Sequence, residues 1–174
     1  MPAAAGFVEI GASANYRSTG YNADNLNESI TYTGSISYYF AEMCAFEMAY
    51  TTGYSRQVTK GSQYGDPKET VEDNIDLLSG DIVLSPAGRQ DPFRPYVKLG
   101  AGYLKKDRYR RVDNNAETLL SRQEGLVPSG GLGLSINLTK MLSIKFGLEA
   151  WPSPLKVKPV IIDYAGRAGV AWIF

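Results

Sequence analysis

The sequence contains no histidine. That removes the commonest general base near neutral pH and the commonest metal ligand. A single cysteine, Cys44, allows neither an internal disulfide nor a thiolate zinc site. Spaced with Phe46 and Met48, it reads as a small apolar surface residue rather than a reactive thiol. No cofactor and no metal site is expected. Neither sign of charge is in excess: 18 Lys and Arg face 18 Asp and Glu, which leaves no electrostatic case for nucleic acid. Long hydrophobic runs are also missing. The longest uncharged stretch, Gly125 to Thr139, is broken by Pro128, four glycines, Ser129, Ser135 and Asn137. A membrane helix needs roughly 20 mostly apolar residues, so no helix is expected to span a bilayer. Met1 to Ala5 lacks the charged start and apolar centre of a signal peptide. If the protein is exported, the chain is expected to be a mature form carrying a start methionine.

What is present is alternation. Hydrophobic residues make up 44% of the chain, yet mean hydropathy is −0.21, because apolar residues are interleaved with polar ones. Tyrosine (12) and glycine (18) are abundant. Tyrosine suits strands and membrane interfaces. The closing stretch, Val160 to Phe174, shows the pattern most clearly. Val160, Ile162, Tyr164, Gly166, Ala168, Val170, Trp172 and Phe174 form one uncharged face. Asp163, Ala165, Arg167, Gly169, Ala171 and Ile173 form the other. A strand sends alternate side chains to opposite faces. One face therefore suits hydrocarbon, and the other suits a narrow space of small and paired polar groups.

Seven earlier segments behave alike, near residues 7–17, 29–40, 44–56, 72–85, 94–108, 125–138 and 142–151. In the fourth, the Leu77-Leu78 doublet breaks the alternation and suggests a bulge. The seventh cannot be a helix, because Leu142 would share its face with Lys145 and Glu149. Connections are expected to alternate: long polar loops near 18–28, 57–69, 109–124 and 152–159, against short turns near 41–43, 86–93 and 139–141. Eight segments with that asymmetry predict an all-β protein, an eight-stranded antiparallel up-and-down transmembrane β-barrel forming one domain over 1–174. Backbone polar groups in lipid must all be paired, so such a sheet has to close. Eight strands leave an interior just wide enough for side chains. The inward set includes Glu9, Arg17, Glu47, Asp81, Lys98, Lys145, Glu149, Asp163 and Arg167, five acids and four bases. Charges in so narrow a space persist only when paired, so the lumen is expected to be plugged by salt bridges.

Three stretches together resemble bacterial outer-membrane barrels of the outer-membrane protein A and opacity-protein class. They are Pro92 to Val97 leading to Leu99-Gly100-Ala101-Gly102-Tyr103, Gly131 to Thr139, and Asp163-Tyr164 with the aromatic end. In that class the last strand is the signal read by the barrel-assembly machinery, and the matching positions here are Tyr164, Ala168, Val170, Trp172 and Phe174. The resemblance implies the bacterial outer membrane, contact with its lipid and lipopolysaccharide, and a monomer. It implies a structural or surface-interaction role through external loops, with a narrow channel for small or hydrophobic solutes as the alternative. No wall-binding domain is expected after Phe174. Enzymatic relatives use histidine in their catalytic sets, so no enzyme is expected. Lys105, Lys106, Arg108, Arg110 and Arg111 gather at the external end of the fifth segment. They suit lipopolysaccharide phosphates, or else form a solvated end balanced by Asp107, Asp113 and Glu117.

Overall fold

A computed structural model describes residues 6–22, 25–60, 68–88, 91–112, 116–152 and 162–174. Eight strands follow one another: β1 (Phe7–Asn22), β2 (Asn25–Ala41), β3 (Cys44–Lys60), β4 (Lys68–Leu84), β5 (Phe93–Val112), β6 (Thr118–Asn137), β7 (Leu142–Pro152) and β8 (Ile162–Ile173). Each is antiparallel to its chain neighbour, and β8 returns to β1, closing a barrel in sequence order. The start of β1, the end of β8 and the turns β2–β3, β4–β5 and β6–β7 lie at one end of the barrel.

Alternation sets the faces as expected. Ile10, Ile36, Met48, Ile82, Leu99, Leu132, Phe146 and Val170 project outward, and all are at least two-fifths exposed. Among the described residues no second layer of protein covers them, so hydrocarbon is the solvent that fits this surface. Tyr16, Tyr54, Tyr103 and Tyr164 sit about ten residues up their strands from the turn end, on the outer face. Tyr38, Phe40, Phe46, Phe93, Trp172 and Phe174 ring the turn end. Two aromatic girdles bracketing an apolar band mark the two membrane interfaces.

The strands depart from expectation in length. The segments 18–28, 57–69 and 109–124 are largely strand rather than loop: β1 and β2 pair as far as Asn22↔Asn25, and β3 and β4 as far as Lys60↔Lys68. Hydrophobic alternation could not reveal this, because above the membrane both faces of the sheet are wet. Cross-strand ion pairs support the extensions instead, among them Arg110–Glu69 and Arg122–Asp107. The expected loop at 152–159 falls, apart from Pro152, outside the described residues, as do Val160 and Ile161. The Leu77-Leu78 doublet is not a bulge. Pairing of β4 with β3 and β5 runs through it unbroken, Leu77 pointing in and Leu78 out.

Height divides the wall. The 20 residues of β5, at about 3.3 Å each and tilted about 40°, rise about 50 Å. The apolar band of such barrels is only about 25 Å tall. The 11 residues of β7 and 12 of β8 do little more than span it. Among the described residues the wall is tall over β1–β6 and low over β7–β8.

Candidate functional site: the lumen and the extracellular rim

The lumen is layered. At the turn end, Phe7, Tyr39, Ala45, Val83 and Ile173 make a buried apolar cluster, with Phe7 and Tyr39 stacked 4.2 Å apart and Tyr96 packed against it. Toward the other end Leu77, Leu104, Val127, Trp151 and Ala165 make a second, with Ile75 against it. The sequence suggested an interior of charges, glycine and serine. Both apolar layers were missed, because isolated inward apolar residues look like noise in a polar face.

Between these layers lie the charges. Lys98 is the hub: its ammonium meets Glu47 at 2.8 Å and also pairs with Glu149. Glu149 pairs in turn with Arg167, whose guanidinium donates to the Thr51 hydroxyl at 2.9 Å. Ser37 donates to Glu47 at 3.0 Å. Nearer the turn end Lys145 pairs with Glu9, and Lys145 lies 5.7 Å from the centre of the Tyr96 ring. Asp81 is held by two hydroxyls, Ser79 at 2.9 Å and Ser129. Six of the nine lumen charges read from sequence are thus in ion pairs, and a seventh, Asp81, is held by hydroxyls. The other two, Arg17 and Asp163, have side chains outside the described residues.

Glycines let these long side chains cross. Lys98, Gly131 and Glu149 are successive partners across β5, β6 and β7. A Cβ on Gly131 would meet Glu149 Cγ at 2.9 Å and Lys98 Cε at 3.3 Å. The next row is Tyr96, Gly133 and Gly147, and a Cβ on either glycine would strike the Tyr96 hydroxyl.

One lumen cation was missed. Arg94 is buried, its guanidinium 5.2 Å from the Tyr39 ring centre, and its Nε lacks a partner among the described residues. Its signal was weak because it opens a strand beside Pro95, where it resembles a turn residue.

The basic group on β5 does not form one patch. Along this strand even-numbered residues face in and odd-numbered ones out up to Leu104. Continued upward, that alternation places Lys106, Arg108 and Arg110 on the inner side and Lys105 and Arg111 on the outer. Arg108 grips Asp73 through two hydrogen bonds of 2.7 and 2.9 Å, Lys106 lies 3.9 Å from the same carboxylate, and Arg110 meets Glu69 at 2.7 Å. Arg111 pairs with Glu117. The sequence reading did not pick out Arg122, which grips Asp107 at 2.7 and 3.1 Å on the rim. That hydrogen bond holds the Asp107 carboxyl below the usual aspartate range and raises the already high Arg122.

Tyr164, Ala168, Val170, Trp172 and Phe174 all face outward on β8. The Phe174 amide donates to the Val8 carbonyl at 2.9 Å, stitching the chain end into the closing seam.

A closed ring of eight strands, apolar outside and polar within, limits the possibilities to membrane barrels. The sequence profile of the family described as "Outer membrane protein beta-barrel domain" matches residues 1–151. The chain belongs to that family. Among solved structures, this outer-membrane barrel is similar to the N-terminal β-barrel domain of Pseudomonas aeruginosa OprF, at 19% identity over 97% of this chain and 99% of that one, with a TM-score of 0.64. It is similar to OprG from the same organism at 15% identity, over 99% and 97% of the two chains, TM-score 0.65. Neisserial surface protein A gives 15%, 97% of each chain and 0.62. These likenesses show the fold. No curated protein sequence matches the chain. The protein therefore resides in the bacterial outer membrane as an eight-stranded barrel. By the family's usual asymmetry its turn end faces the periplasm and its tall rim the exterior.

Proposed function

We propose that this outer-membrane barrel is a structural and surface-interacting protein with a closed lumen, and that it catalyses no reaction. The observation that carries this reading is the sandwiching of the Glu47–Lys98–Glu149–Arg167 chain between two apolar layers. An ion crossing the barrel would have to displace two dry layers and a set of mutually satisfied charges. A narrow channel needs a continuous wet path, and the cavity beside these charges is only about 30 Å³. Single-channel recording of the purified protein in planar bilayers is the test. No stepwise conductance is expected; reproducible steps would replace this reading with the channel.

The interaction surface in this proposal is the set of three hairpins that β1–β6 raise above the membrane. Lipid and lipopolysaccharide are its proposed neighbours. Lys105, two residues beyond Tyr103 on the outer side of β5, stands just above the outer girdle, at the height proposed for lipopolysaccharide phosphates. Arg108, Arg110, Arg111 and Arg122 already hold carboxylates, so they would serve by keeping the rim's charge in balance. Neutralising Arg108, Arg110 and Arg111 together is expected to weaken lipopolysaccharide association. Unchanged binding would leave the rim as a solvated strand end.

A further inference from the structure

The closing seam is incomplete. β1 and β8 pair from Glu9↔Ile173 to Ala14↔Ala168 and no further, although β1 continues to Asn22 and β8 begins at Ile162. Because the Phe174 amide bonds to the Val8 carbonyl, the hydrogen-bonded pairs of this ladder fall on even-numbered residues. The next such pair would be Tyr16 with Gly166. That pair is not part of the ladder, so the two residues do not exchange both N–H···O=C bonds across the seam.

These groups sit level with the outer girdle formed by Tyr16 and Tyr164, where hydrocarbon gives way to headgroups. A strand edge there offers backbone donors and acceptors to the polar end of a lipid. Beside the gap a groove of about 700 Å³ runs over the outer face. Its floor is low because Ala14, Gly166 and Ala168 carry little side chain, and its sides are Tyr16, Leu132, Phe146 and Leu148. The volume falls within the roughly 300–1,000 Å³ typical of small-ligand sites. The surroundings are lipid, so the occupant has to come from the bilayer. The lining asks for a hydrocarbon chain. The exposed strand edges ask for a group near one end of that chain that both donates and accepts hydrogen bonds.

We propose that the β1/β8 seam binds a hydroxylated acyl amphiphile of the outer leaflet, its chain in the groove and its hydroxyl and head on the Tyr16 and Gly166 backbone. The site is separate from the lumen, whose charges are turned inward: Arg167 borders the groove but commits its guanidinium to Glu149 and Thr51.

The protein in phosphatidylcholine nanodiscs, titrated with 3-hydroxytetradecanoate and with tetradecanoate in competition with a spin-labelled stearate, provides the test. Saturable binding of one molecule per barrel is expected, at least threefold tighter for the hydroxy acid. Gly166→Leu with Ala168→Leu fills the groove and is expected to weaken binding at least tenfold. Gly34→Leu, on the outer face of β2 with open space around it, is expected to change nothing. Should the filled variant fail to fold, Tyr16→Cys with Gly166→Cys provides a second arm. A disulfide there zips the seam, which is expected to abolish binding until reduction restores it. Equal binding by all variants would mean ordinary bilayer lipid only, and equal affinity for the two acids would remove the role of the backbone edge. Intermolecular cross-links between cysteines at these positions would show instead that a second copy pairs with the edge. Any of these results overturns the proposal.

Discussion

Two sets of ion pairs in this barrel use the same chemistry in opposite surroundings. In the lumen, Lys98 and Glu47 retain only 5% and 7% of their side-chain exposure. On the rim, Arg111 and Glu117 retain 46% and 41%. Water screens the rim pairs, and exposed pairs typically contribute about 0–1 kcal/mol. The lumen pairs have lost their hydration, so their attraction mainly offsets a desolvation cost. A buried pair is therefore weak evidence of net stability but a strong point of failure. Removing one partner leaves the other charged, dry and alone. The rim pairs can be broken at little cost, which suits strands that must stay straight in water yet tolerate change.

The sharpest way to break that contrast is Lys98→Met. It strands Glu47 and leaves Glu149 with Arg167 alone, and a loss of about 3–5 kcal/mol in urea unfolding from lipid vesicles is expected. A loss no larger than that of a rim variant would mean that water reaches the lumen charges. A smaller effect should follow Gly133→Val, whose side chain would displace the Tyr96 ring and press on the Phe146 carbonyl. Overpacking of this kind costs about 1–3 kcal/mol. The added fluorescence change at Tyr96 would separate it from a charge effect.

On the rim, Arg111→Gln is expected to leave the unfolding midpoint within error, and adding salt to the parent protein should do the same. Lumen pairs should be equally indifferent to salt for a different reason: ions cannot enter to screen them. The smallest effect concerns pH. Arg122 depresses the Asp107 pKa. The stabilisation from this pair is therefore fully present above the unfolded aspartate value of about 3.9 and fades as pH falls through the lower folded value. An NMR titration of the Asp107 carboxyl should show that depressed midpoint, and Arg122→Gln should return it toward the ordinary range. No change with pH is expected between 5 and 8 from this pair.

The barrel was legible because one rule, alternation between hydrocarbon and a polar interior, holds over every spanning segment. Leu132, Leu134 and Ile136 against Gly131, Gly133 and Ser135 read as out and in from sequence, and β6 places them so. The rule loses force wherever its cause is absent. The strand extensions beyond Arg17, Arg56 and Arg108 were read as loops because water on both faces removes the contrast. Trp151 and Leu104 were not picked out as inner plugs, since an apolar residue facing a polar lumen violates the pattern locally. The candidate lumen site was half legible: the charged positions could be read off the strands, their partners could not.

The sequence by itself determined which side of each strand meets lipid, and therefore that the sheet must close, because two-residue periodicity is a local property of the chain. Only the tertiary structure decided that Lys145 meets Glu9 and Lys98 meets both Glu47 and Glu149. It alone also decided that the ladder between the first and last strands stops at Ala14↔Ala168. Those outcomes depend on register and tilt around a closed ring, which pair charged side chains as far as 136 positions apart.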